Sequence, residues 1–137
     1  MKNIVFIDTE ISPQNNTLLD LGAVKADNSK FHSKSQNDFA GFISGADYIC
    51  GHNIFAHDLN YIQHLISNKK EISIIDTLHL SALLFPAKPY HALVKDDKLQ
   101  SEELNNPLND AIKTMDLFNA EINAFERLEP NIKTIYL

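Results

Sequence analysis

The sequence predicts a single α/β domain, and three observations predict it. Five short apolar runs of strand length alternate with stretches whose apolar residues recur at three- and four-residue steps, the pattern of a sheet covered by helices. The chain has 137 residues, 44% of them hydrophobic, which is enough apolar surface for one real core. The first two runs are joined by so short a loop that they are read as antiparallel neighbours. No internal repeat or low-complexity segment interrupts this order.

The first strand is Asn3 to Glu10, an apolar run ending in Asp8-Thr9-Glu10. Ser12 to Asn16 is loop, Leu18 to Ala26 a second strand, and Phe31 to Ser35 a short edge strand with lysines nearby that discourage stray pairing. Asn37 to Ser44 carries Phe39, Phe42 and Ile43 at helical spacing and leads into a fourth strand at Asp47 to Cys50. From about Ala56, Leu59, Ile62 and Ile66 fit a helix that starts just before Asp58. Ile72 to Asp76 is the fifth strand and Thr77 to Phe85 a helix stopped by Pro86. Tyr90 to Lys98 is read as a further helical stretch, and Gln100 to Asn106 as irregular. The clearest helix comes last: Leu108, Ala111, Ile112, Met115, Phe118 and Ile122 form one stripe, with Pro107 at the first helical position and Asn106 as N-cap.

The formal charge is -6 and Arg127 is the only arginine, so a basic, nucleic-acid-coating protein is excluded. Contact with phosphate must come from a few lysines, from backbone amides or from bound metal. Cys50 is the only cysteine, which excludes a disulfide framework and implies an intracellular, cytoplasmic setting. No run of eighteen apolar residues occurs, so no membrane association is expected.

Side chains on a strand alternate faces, so Asp8 and Glu10 leave the first strand on the same side. Two anions so close repel unless a cation lies between them or both reach water. On its own such a pair is more simply read as a solvated strand end. Two more carboxylates weigh against that. Asp58 opens a helix, where the macrodipole and capping also favour an Asp, and Asp110 sits in the first turn of the last helix beside its buried stripe. Four hard oxygen donors at element ends can converge on one end of a sheet, and such a cluster suits one or two Mg²⁺ or Mn²⁺ ions. Zinc is disfavoured, because the histidines lack an H-x-x-x-H spacing and one thiol cannot build a site.

These residues carry a resemblance. Phe6-Ile7-Asp8-Thr9-Glu10, Leu21-Gly22-Ala23-Val24, Gly51-His52-Asn53 leading to Asp58, and Leu108-Asn109-Asp110-Ala111 resemble, in order, the three motifs of DEDD-family 3′-5′ exonucleases, the ribonuclease T-like group. The resemblance spans almost the whole chain. It implies a ribonuclease H-like three-layer fold, with a mixed five-stranded sheet whose first strands are antiparallel, flanked by helices and trimmed in the third-strand region. It also implies hydrolysis of DNA or RNA from a single-stranded 3′ end, with two Mg²⁺ or Mn²⁺ ions about 3.5 to 4 Å apart at the scissile phosphate. Carried over, Asp8 bridges the ions, Glu10 and Asp110 hold the one that activates water, and Asp58 orients the other. The backbone near Thr9 and Glu10 and the side chain of Asn53 would grip the terminal nucleotide.

The chain departs from the family at the general base. One branch has a histidine five residues before the last aspartate, where Asn105 stands; the other has a tyrosine four residues before, where Asn106 stands. Asparagine cannot serve as a base at neutral pH, and Asn-Asn-Pro is itself a helix-capping sequence. His91 is the first candidate for a replacement, with an imidazole suited to physiological pH, and His57 the second; His52 is assigned to shaping the Gly-His-Asn turn. Lys88, Lys95 and Lys98 are the best basic cluster, although Asp96 and Asp97 make it a mixed-charge face.

Three functional classes follow. The first is an active metal-dependent exonuclease, and the second an exonuclease-like nucleic-acid-binding or scaffolding module with weakened catalysis. The third is an endonuclease or other phosphoryl-transfer enzyme of the same fold superfamily. The short apolar tail after Pro130, and the likeness to nuclease modules attached to helicases and polymerases, lead to the expectation that residues 1–137 are the N-terminal part of a longer polypeptide.

Overall fold

A computed structural model describes residues 3–66, 72–84 and 106–128 of the chain. Its five strands are β1 (Ile4–Ile11), β2 (Leu18–Lys25), β3 (Lys30–Ser33), β4 (Tyr48–Gly51) and β5 (Ser73–Asp76), in the sheet order β3-β2-β1-β4-β5. β2 is antiparallel to both β1 and β3, while β4 is parallel to both β1 and β5. The sheet is therefore mixed, with β1 at its centre, as the sequence predicts. The third strand is only four residues long.

Helices cover both faces. α1 (Gln36–Ile43) begins at Ser35, whose hydroxyl accepts the Asp38 N–H, and buries Phe39 and Ile43. These pack with Val5, Ile7, Leu21, Ala23 and Ile49 from one face of the sheet. α4 (Pro107–Glu126) begins at Asn106, whose side chain accepts the Leu108 N–H, with Pro107 in the first turn. Its stripe of Ala111, Ile112, Met115 and Phe118 covers Phe6, Val24 and Cys50 on the other face, with the Phe6 and Phe118 rings 5.5 Å apart. The two-residue alternation of β1 thus sends Val5, Ile7 and Thr9 toward α1, and Phe6, Asp8 and Glu10 toward α4.

One helix differs from its sequence pattern. The stretch after Asp58 forms only α2 (Leu59–Ile62) followed by a 3₁₀ turn at Gln63–Leu65, because Ile62 leaves helical geometry at φ -117 and ψ 0. α3 (Thr77–Leu84) follows β5 directly. The expected helix at Tyr90 to Lys98, together with His91, Asn105 and the lysine cluster, lies outside the described residues. Among the described residues no helix is long and apolar enough to cross a membrane.

The start of α4 sits directly on the sheet at Gly22. A Cβ there would come within 2.2 Å of the Leu108 nitrogen and 2.3 Å of the Pro107 carbonyl carbon. Because those atoms are backbone, no side-chain rotation can make room. Gly22→Ala must push the first turn of α4 off β2, with a loss at or above the roughly 1–3 kcal/mol of an overpacked core. Thermal unfolding checks this: an unchanged midpoint would show that α4 is not seated on the sheet at that point.

Candidate active site

β1 pairs with β2 so that Asp8 lies opposite Gly22 and Glu10 opposite Asp20. The first turn of α4 rests on Gly22, the residue opposite Asp8, and Asp110, only 6% exposed, lies in that turn. Asp8 and Glu10 therefore lie on the face of the central strand that α4 covers. Asp8 and Glu10 are half-buried.

Asp58 reaches the same strand end from the opposite face. It is 1% exposed, and its Oδ1 accepts the Thr9 hydroxyl at 2.6 Å. His57 Nδ1 lies 2.8 Å from the same oxygen. Asp58 precedes α2 but makes no side-chain cap bond, so its carboxylate serves β1 rather than the helix terminus. Its second oxygen, Oδ2, is buried and has no hydrogen-bond partner among the described residues. A buried carboxylate oxygen left in that state is costly unless a donor or a cation meets it.

His57 thus points at its neighbour, because the segment up to Asp58 is turn, not helix. Its imidazole pKa is pushed up by the hydrogen bond to Asp58 first and by the Asp58 charge as well, with partial burial opposing. His52 shapes the turn, as the sequence implies, with Nδ1 2.9 Å from the Thr77 hydroxyl. Of the two grip candidates, Thr9 turns its hydroxyl inward to Asp58, while Asn53 lies at the surface with a positive φ of 61.

Three neighbours escaped the sequence reading. Asp20 faces Glu10 across the hairpin, a like-charge pair that would be destabilising on its own. His32 on β3 offsets it, with Nε2 2.6 Å from Asp20 Oδ2. Asp76, nearly buried at the end of β5, accepts the N–H groups of Asn53 at 2.8 Å and Phe55 at 3.3 Å, and of Leu78 at 2.9 Å. It ties the Asn53–Asp58 loop to the start of α3. The sequence signal for it was an Asp ending a strand, the same signal that singled out Asp8. Cys50 is no candidate nucleophile, since burial first, then Glu121 and Asp76, push its thiol pKa far up.

The donor set is all hard oxygen, and the unpartnered Asp58 Oδ2 is an atom a divalent cation would satisfy, so these residues fit Mg²⁺ or Mn²⁺ chemically. Among the described residues no three His, Cys, Asp or Glu side chains are drawn together around a single point.

The fold is similar to that of a solved family B DNA polymerase from the hyperthermophilic archaeon Pyrobaculum calidifontis, with a TM-score of 0.57 and 10% identity over 89% of this chain and 25% of the polymerase. The chain spans about a quarter of that polymerase's length. At this identity the likeness speaks for the fold, a ribonuclease H-like mixed five-stranded sheet between helices. No family model and no curated protein matches the chain.

The His57–Asp58 pair has a measurable sign. A raised folded pKa means that its contribution to stability is complete below the unfolded value of about 6.5 and is lost as pH rises through the folded value. In metal-free buffer, an NMR titration of His57 is expected to give a pKa above about 6.5, and Asp58→Asn to return it toward that value. A titration unaffected by Asp58→Asn would remove the pair. Thr9→Val, close in shape but lacking the donor, is expected to cost about 1–3 kcal/mol in urea unfolding, with Thr9→Ser losing less. Equal losses in the two variants would place the effect in packing instead.

Proposed function

We propose that the chain is a metal-dependent 3′-5′ exonuclease domain that shortens DNA or RNA from a single-stranded 3′ end and releases nucleoside monophosphates. The observation that carries this is the buried Asp58, bound through Oδ1 to Thr9 between Asp8 and Glu10 and with Oδ2 unpartnered among the described residues, while Asp110 is buried in the first turn of the helix that rests on Gly22 opposite Asp8. Asp8, Glu10 and Asp110, with Asp58 through Oδ2, would hold Mg²⁺ or Mn²⁺. Such ions, when bound, activate water and stabilise the leaving 3′ oxygen.

The chain's own residues do the positioning. Thr9 and His57 fix Asp58, and Asp76 fixes the loop that presents Asn53 at the surface to a terminal nucleotide. The charge of -6 is compatible with a polyanion only where cations lie between the two. Asn106 is committed to capping α4, so the base must come from elsewhere, and His91 remains the first candidate. Such a domain suits attachment to a helicase or polymerase module in a longer polypeptide.

The commitment of Asn106 to the cap also favours a second reading, an exonuclease-like module that binds nucleic acid or acts as a scaffold with weakened catalysis. One assay separates the two. A 3′-labelled single-stranded DNA and RNA is incubated with Mn²⁺, Mg²⁺ or EDTA, comparing the wild type with Asp8→Ala. Stepwise release of mononucleotides that needs metal and falls by about 10² or more in Asp8→Ala is the expected result. Binding of Mn²⁺ and of oligonucleotide without shortening would favour the module, and internal cleavage products would favour an endonuclease.

A further inference from the structure

We infer that Phe55, backed by His79, forms a stacking platform for a nucleobase of the single-stranded end. This rests on the exonuclease reading and names a binding surface for it.

Among the described residues, Leu19, Phe55, Leu83 and Ile122 are the exposed large hydrophobics, and Phe55 is the aromatic one, at 47% exposure. Its ring is not loose. It lies against the His79 imidazole with centroids 5.7 Å apart and planes 23° from parallel. The two rings come from different segments, Phe55 from the loop after β4 and His79 from α3. A single carboxylate ties both segments, because Asp76 accepts from the backbone N–H of Asn53 and Phe55 on one side and of Leu78 on the other. A buried charged group thus pre-orders an exposed aromatic pair, which lowers the ordering cost of a ligand that stacks there.

The location matches that occupant. β1, β4 and β5 run parallel, so the loop carrying Phe55, the start of α3 and the Asp8–Glu10 end of β1 all lie at the carboxyl ends of those strands, the edge where open α/β sheets take their ligands. The chain's charge of -6 and single arginine leave phosphate attraction weak, so grip must come from contacts that do not depend on charge. Every base has a π-face, and stacking on an aromatic ring tolerates any sequence.

The test is fluorescence anisotropy, with Mg²⁺ present, of labelled single-stranded DNA and RNA whose 3′-terminal linkages are hydrolysis-resistant phosphorothioates, so that turnover does not interfere. Phe55→Ala is expected to weaken binding about tenfold and Phe55→Tyr to change it little. An oligonucleotide abasic over its last three 3′ positions should bind wild type as weakly as Phe55→Ala binds the intact strand, and should be indifferent to the substitution. Thermal unfolding of Phe55→Ala should match wild type, because the ring is half exposed. Unchanged affinity in Phe55→Ala overturns the inference, as does an equal loss on the abasic strand. So does wild-type self-association that Phe55→Ala abolishes while oligonucleotide affinity stays constant, since the patch would then bind a second copy. If metal-dependent shortening is seen and affinity ignores Phe55, the exonuclease reading survives and this inference alone fails; if wild type neither binds nor shortens either strand, both fail.

Discussion

The first turn of α4 lies on the sheet without any side chain between them, at Gly22, and the rest of the candidate site depends on that contact. A helix normally stands about 10 Å off a sheet, held away by the side chains of both. Here the absent Cβ lets the backbone of Pro107 and Leu108 descend onto β2, opposite Asp8 in the register. A carboxylate in that turn then comes to the strand end, where Asp110 is buried. The N-terminal position also favours its charge, because the free N–H groups and the macrodipole of a helix start stabilise an anion. The cap by Asn106 and the ring of Pro107 make the helix start there and nowhere else along the stripe.

A second constraint crosses the sheet. Thr9 stands between Asp8 and Glu10 and points to the other face, where its hydroxyl holds Asp58. One tripeptide therefore anchors carboxylates on both sides of β1, and its middle residue performs a task that its neighbours cannot. Burial leaves Asp58 with Oδ1 shared between Thr9 and His57 and with Oδ2 unbonded among the described residues. On the other face Asp20 adds a further carboxylate against Glu10, and His32 offsets it. Asp20 is thus a further carboxylate at this end of the hairpin beyond the four that the sequence singles out.

Asp76 performs a third task. It converts a loop with a positive φ at Asn53 into a fixed support by accepting from its backbone, and it orders the start of α3 by accepting the Leu78 N–H on Oδ1, the oxygen that also takes the Asn53 N–H. The Asn53 backbone, the Phe55 ring and the His79 ring are thereby tied to the end of β5.

Much of this was legible in the residues themselves. The apolar run from Asn3 to Glu10, the three- and four-residue steps from Leu108 to Phe118, and the Asn106-Pro107 start are local signals, because strand and helix patterning and capping act within a few residues. They determined the five strands, the antiparallel first pair, the final helix and the candidacy of Asp8, Glu10, Asp58 and Asp110. The tertiary structure alone decided that Asp58 approaches from the Thr9 face, that Asp20 confronts Glu10, and that Asp76 locks the Phe55 loop. Each of these depends on which residues oppose one another across strands or faces, separations of 49 positions for Thr9 and Asp58 and 21 for Phe55 and Asp76. No local propensity encodes such a pairing; it is set by strand register and by how closely α4 can approach a glycine.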